Sequence, residues 1–194
     1  MYAHIVNVLT MTYVSVIITV VNVSLKSCCF IGHRDIPDYE KYEEILTEIV
    51  TDLIVNKGVS IFFLGSKSDF NDLANSVVSK LKSQYSHIIK VLVRANYEHI
   101  SDYYKSFLLE HYDDTIFPSR ISGAGKLLYV ERNQAMIDAS DYCVFFYNRD
   151  YSPLNTKHSG HYVGKKKQIS GTKIAYNYAI SKHKEVINIF DFCW

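Results

Sequence analysis

The chain has almost no surplus charge: its 194 residues carry 21 Lys and Arg against 20 Asp and Glu, a net +1. Nucleic-acid-binding proteins usually show a strong basic excess, so the balance argues against that class, and no nucleic acid is expected as a partner. The basic residues do cluster once, between Lys157 and Lys173. Cysteine is scarce, with Cys28, Cys29, Cys143 and Cys193 only, and no C-x-x-C spacing. That argues against the common zinc frames and favours buried thiols in a reducing compartment. The histidines show no metal-ligand spacing either. His158 and His161 share a loop, but Lys165, Lys166 and Lys167 beside them would repel a cation. No Ser–His–acid or Cys–His set can be assembled. No metal, no resident cofactor and no catalytic residue is therefore assigned. Internal repeats and low-complexity tracts are also missing, and the length suits one domain.

The first 25 residues lack Lys, Arg, Asp and Glu altogether. Ile5 to Val23 is mostly Val, Ile, Leu, Met and Thr, about long enough to span a bilayer. Asn7, Thr10, Thr12, Ser15, Thr19 and Asn22 interrupt it and raise the cost of insertion. The stretch has neither the basic start nor the small-residue cleavage site of a signal peptide. Residues 1–25 read as an apolar extension: a weak anchor, an extra strand, or residues translated from upstream of the usual start. Residues 26–194 read as one domain. A cytoplasmic location is expected, with a single N-terminal anchor as the alternative.

What is abundant is a repeated order of apolar run, turn and helix. Strands are expected at Cys28–Ile31, Val59–Leu64, Ile88–Val93, Thr115–Phe117, Tyr142–Tyr147 and Val186–Phe190. Helices are expected at Asp38–Asn56, Phe70–Gln84 with Asp69 as cap, Leu127–Ala139 and Thr172–His183, plus a short one near Ser101–Leu109. Continuous apolar strands between helices predict an α/β fold, with a mainly parallel open sheet covered on both faces.

Three of the strands lead into glycines beside small polar residues. Cys28–Ile31 runs into Gly32-His33-Arg34, and Val59–Leu64 into Gly65-Ser66-Lys67-Ser68-Asp69. Tyr142–Tyr147 leads through a long loop to Ser170-Gly171-Thr172-Lys173. Such turns bare backbone N–H groups, and the helix that follows presents its positive end, so an anionic ligand is expected there. Arg34 can pair with phosphate and His33 can donate a hydrogen bond. The second turn has one glycine and matches neither the dinucleotide fingerprint nor a Walker loop. Ser170 can cap the last helix, where Lys173 opposes the helix dipole and a bound phosphate would offset it. Arg132 and Asn133, in Glu131-Arg132-Asn133-Gln134, point towards the same edge. Each string also has a plain structural reading, as a turn, a cap or a solvated helix face.

Taken in order, Cys28-Cys29-Phe30-Ile31-Gly32-His33-Arg34, Gly65-Ser66-Lys67-Ser68-Asp69-Phe70, Glu131-Arg132-Asn133-Gln134-Ala135-Met136 and Ser170-Gly171-Thr172-Lys173 resemble the YpsA-like branch of the SLOG superfamily. That superfamily includes DprA and the Lonely Guy hydrolases. The resemblance runs from about Lys26 to Phe190. It implies a Rossmann-like fold whose strand-end turns hold a nucleotide or nucleotide-derived ligand, ADP-ribose- or NAD-like, in a sensor or sequestering role. It places that ligand on Gly32, His33, Arg34, Gly65, Ser66, Lys67, Ser68, Asp69, Arg132, Asn133, Ser170, Gly171, Thr172 and Lys173, with a tyrosine of Tyr97–Tyr104 to stack the base. Two alternatives stand beside it, a nucleotide N-glycosidase and a DprA-like DNA-handling protein. The hydrolases carry glutamates after the threonine of the last motif, whereas Lys173 and Ile174 follow Thr172 here. The acids near the turns are Asp35, Asp69 and Glu131. A small-molecule partner is expected, and a homo-oligomer is compatible with the pattern.

Overall fold

The computed structural model describes residues 25–65, 68–151 and 169–192. Strand β1 (Lys26–Gly32) is buried from Ser27 to Ile31, as expected of a strand with neighbours on both sides. Helix α1 (Tyr39–Val55) starts at Asp38, whose carboxylate accepts from the Lys41 N–H at 3.3 Å. It buries Tyr42, Leu46, Val50, Leu53 and Ile54, one stripe at helical spacing. Gly58, at φ +72°, turns the chain into β2 (Val59–Leu64).

Helix α2 (Asp69–Lys82) follows, then β3 (Ile89–Val93), α3 (Asp102–Leu109), β4 (Asp114–Ile116) and α4 (Leu127–Asp138). The chain closes with β5 (Tyr142–Phe146), α5 (Gly171–Ser181) and β6 (Glu185–Asn188). Two local differences from the sequence reading have simple causes. Ser68, not Asp69, caps α2, because its hydroxyl reaches the Asn71 N–H at 3.1 Å. The last strand stops at Asn188, and Ile189–Phe192 forms a 3₁₀ turn whose Ile189 and Phe190 pack into the core.

All strand pairs are parallel, in the order β4-β3-β2-β1-β5-β6, an open Rossmann-like sheet. Alternate side chains sort into two layers. Cys28, Phe30, Phe62, Leu64, Val144 and Phe146 meet α1 and α2. Cys29, Ile31, Cys143, Phe145 and Tyr147 meet Met136 and Ile137 of α4 and Ala175 and Ala179 of α5. Cys28, Cys29 and Cys143 are buried free thiols. Burial raises the pKa of Cys28, which keeps it protonated.

Parallel pairing has one consequence for function. Every strand ends at the same edge, and the order reverses there between β1 and β5. Crevices at such a reversal are where open α/β sheets hold ligands. Among the described residues no helix is long and apolar enough to cross a membrane. The anchor and extra-strand readings fall on residues 1–24, outside the described residues.

Gly32 lies at the strand end, where a Cβ would come within 2.4 Å of the buried Phe70 ring. Phe70 also meets Phe30 and Phe146 at centroid distances of 6.4 and 6.0 Å, so it has no room to retreat. Gly32→Ala is therefore expected to destabilise the domain by about 1–3 kcal/mol. Urea unfolding measures it, and an unchanged midpoint would refute the close approach.

Candidate ligand-binding site

The carboxyl edge of the sheet is built by side chains that the core holds in place. Gly65 follows β2, and its N–H donates to Asn71 Oδ1 at 3.1 Å. Asn71 Nδ2 in turn donates to Ser68 Oγ at 2.7 Å. Asn71 is buried, and it locks the turn to the start of α2. It stands directly after the string Gly65–Phe70, and only the folded arrangement gives it this role. The backbone N–H of Gly65 is thus already used. What the missing Cβ provides is room: a methyl there would lie 2.7 Å from Arg132 Nη1.

Arg132 comes from the middle of α4 and lies over Gly65. It is 5% exposed, and its Nη1 has no hydrogen-bond partner among the described residues. Nε donates to Asn133 Oδ1 at 3.0 Å, and the guanidinium lies 5.7 Å from the centre of the Tyr129 ring. Tyr129 is held by Asn96 Nδ2, which donates to its hydroxyl at 3.0 Å. Burial drives the Arg132 pKa down to about 10, with the Tyr129 hydroxyl pushing weakly the other way. The side chain is still charged at neutral pH. A charge taken out of water without a counter-ion costs several kcal/mol.

At the strand reversal His33 is 2% exposed. Its main-chain N–H donates to Phe146 O at 3.1 Å. Nε2 lies 3.0 Å from the Asn148 N–H and 3.1 Å from its carbonyl. Nδ1 is buried with no partner among the described residues. The ring stacks on Tyr151 at 3.9 Å, and the Tyr151 hydroxyl donates to Asp35 at 3.3 Å. Neither Asn148 nor Tyr151 stands in a recognisable motif, and proximity to His33 arises only from the β1–β5 pairing. Asn188 strengthens that end: it accepts from the Tyr147 N–H and donates to the Tyr147 carbonyl, both at 2.9 Å.

Ser170 caps α5, accepting from the Lys173 N–H at 3.1 Å. Gly171 and Lys173 are exposed and Thr172 is buried. A Cβ on Gly171 would meet nothing, so that glycine is not needed for packing. Arg34 is exposed, and its carbonyl accepts from the Asp69 N–H at 2.8 Å, joining the first and second turns. Ser66 and Lys67 lie outside the described residues, as does most of the Lys157–Lys173 cluster. Tyr97, Tyr103 and Tyr104 are exposed, and the ring that the Arg132 guanidinium lies over is Tyr129, outside the Tyr97–Tyr104 stretch.

The three acids near the turns are engaged. Asp35 accepts from Tyr151, and Asp69 Oδ2 from the Ile36 N–H at 3.3 Å. Glu131 Oε2 accepts from the N–H groups of Ser122 and Gly123, both at 2.9 Å. Each holds a loop in shape.

Burial lowers the His33 pKa from its usual 6.5, and the Asn148 carbonyl and Asp35 oppose this more weakly. The folded protein therefore binds fewer protons than the unfolded chain just below pH 6.5, and stability must fall on acidification through that window. In His33→Gln this part of the pH dependence should vanish. Thermal unfolding between pH 7.5 and 5 checks it, and an unaltered profile in the variant would contradict a buried neutral imidazole. No family model and no curated protein matches the chain, so the case for its function is carried by its own residues.

Proposed function

We propose that this chain binds a nucleotide-derived ligand, ADP-ribose- or NAD-like, at the carboxyl edge of its sheet and acts as a sensor or sequestering module of the SLOG type. The observation that carries the reading is Arg132: a buried guanidinium with an unpartnered Nη1 lying over a strand-end glycine. An uncompensated buried charge is costly, and a bound phosphate removes the cost through a charge-assisted hydrogen bond. The N-terminal end of α5, with Lys173 in its first turn, offers a second anion contact beyond the strand reversal. Two separated anion contacts suit a diphosphate or a phosphate with a distant polar group. Tyr129 and Tyr151 supply the ring faces.

The same groups argue for holding over cleaving. Splitting an N-glycosidic bond needs a group to stabilise positive charge on the ribose and a base to activate water. Asp35, Asp69 and Glu131 already accept hydrogen bonds from loop groups. Lys173 opposes a cationic centre. A DNA-handling role would need a broad basic face, and the balanced composition does not favour one.

Thermal shift with AMP, NAD and ADP-ribose tests the reading, together with mass spectrometry of what denatured protein releases. ADP-ribose is expected to raise the melting temperature of the wild type and leave Arg132→Met unmoved. Without ligand, Arg132→Met should melt higher than the wild type, by about 2–4 °C for each kcal/mol recovered, because an unpaired buried charge is gone. A variant that keeps its ligand shift, or a wild type that ignores the whole panel, would overturn the site. Free base accumulating in the incubation would favour the glycosidase instead.

A further inference from the structure

A groove of about 440 Å³ runs between α4 and the strands β2, β3 and β4. It is lined by Phe63, Val93, Ile116, Ala135 and Met136, with Ser119, Arg120 and Asp138 among the polar residues at its side. Its relation to the anion contact follows from geometry. Gly65 follows β2, two residues after Phe63, and Arg132 is three and four residues before Ala135 and Met136 on α4. Residues so spaced share a face of their element. The groove thus starts one helical turn along α4 from Arg132 and two residues back along the chain from Gly65. Its polar groups are largely satisfied. Arg120 pairs with Asp138 and donates to Gln134 at 3.2 Å, and the Tyr178 hydroxyl donates to Asp138 at 2.9 Å.

We propose that the anion held by Arg132 carries an aliphatic chain, and that this chain lies in the groove. The inference rests on the reading of Arg132 as an anion contact and departs from the ADP-ribose-like reading in what lies beyond the anion, a chain in place of a nucleoside. Charge complementarity sets the head group: the free Nη1 calls for a phosphate or carboxylate oxygen. The walls set the tail. A nucleobase lying there would bury several donors and acceptors against Val93, Ile116, Ala135 and Met136, and each unmet one costs roughly 1–3 kcal/mol. An alkyl or acyl chain has none to lose, and Met136 can adjust its shape to it. The volume lies within the usual range for small-molecule sites, about 300–1,000 Å³.

Isothermal titration with decyl phosphate, below its micellar concentration, tests this against inorganic phosphate, decanoate, 1-decanol and ADP-ribose. Decyl phosphate should bind the wild type at least tenfold more tightly than inorganic phosphate or 1-decanol, and decanoate tells a carboxylate head from a phosphate. Arg132→Met should lose at least tenfold, and so should Ala135→Phe, which fills the groove and leaves the arginine alone. Circular dichroism confirms that each variant is folded, and Ala135→Phe decides the matter even if Arg132→Met is not. Equal affinity for decyl phosphate and inorganic phosphate, or undiminished binding in Ala135→Phe, overturns the proposal. If ADP-ribose binds in an Arg132-dependent way and decyl phosphate does not, the tail falls and the anion contact stands. If no anion binds, both fall.

Discussion

The parallel pairing of β1 with both β2 and β5 is the constraint on which the rest of the molecule depends. Cys28 and Cys29 each face a partner on either side, Phe62 and Phe63 in β2, Tyr142 and Cys143 in β5. A strand so placed can expose neither face nor edge, so its side chains from Ser27 to Ile31 are all buried. The cost falls on the loops, because a parallel neighbour requires a crossover through a helix. Those crossovers put α1 and α2 over one face and α4 and α5 over the other. They also bring Gly32, Gly65 and the exit of β5 to one edge. The candidate site is a product of that pairing.

At that edge the usual division of labour between backbone and side chain is altered. In glycine-rich phosphate loops, the glycines bare N–H groups to the ligand. Here Gly32 makes room for Phe70, and Gly65 makes room for the Arg132 guanidinium while giving its N–H to Asn71. The glycines shape the core, and side chains supply the charge. This explains how a turn with one glycine can still sit at an anion contact. Arg132 is the group proposed to pull on an anion, because no carboxylate among the described residues pairs with it. Its near neighbours are an amide and a phenol, not a carboxylate, so the charge stays desolvated and available. A carboxylate at Asn133 would have made an ordinary ion pair and removed the pull.

The fold was legible in the sequence because its signals are local. Apolar runs such as Val59–Leu64 are too short for helices and bounded by glycine. The stripe Tyr42, Leu46, Val50, Leu53 has only one reading. Boundaries were less legible where two side chains compete for one task. Ser68 and Asp69 are both good caps, and the contest is decided by which oxygen can reach Asn71. Ile189 and Phe190 look like more strand, since burial in a 3₁₀ turn and burial in a strand leave the same apolar letters. The site was legible only as a set of strings. That Arg132 and Asn133 belong near the edge could be read from their helix position. That Arg132 is buried over Gly65 could not, because it depends on how α4 crosses β2. Asn148 and Tyr151 carry no motif at all, and β1–β5 pairing alone sets them against His33.

Two of the buried groups left without a partner among the described residues, His33 Nδ1 and Arg132 Nη1, are of different kinds, and the difference bears on what the candidate site can do. Burial keeps the imidazole neutral, so it can donate or accept one hydrogen bond at little electrostatic cost. The same burial cannot discharge the guanidinium, whose pKa of about 10 remains far above neutrality. On the proposed reading, one end of the edge would select for shape and hydrogen bonding, and the other for negative charge. Acid–base catalysis wants the reverse, a group whose proton can leave near the working pH. His33 comes nearest, yet its Nε2 is tied to the Asn148 backbone and its face is covered by Tyr151. A desolvated guanidinium beside a neutral imidazole is the arrangement that the proposed holding of an anion requires.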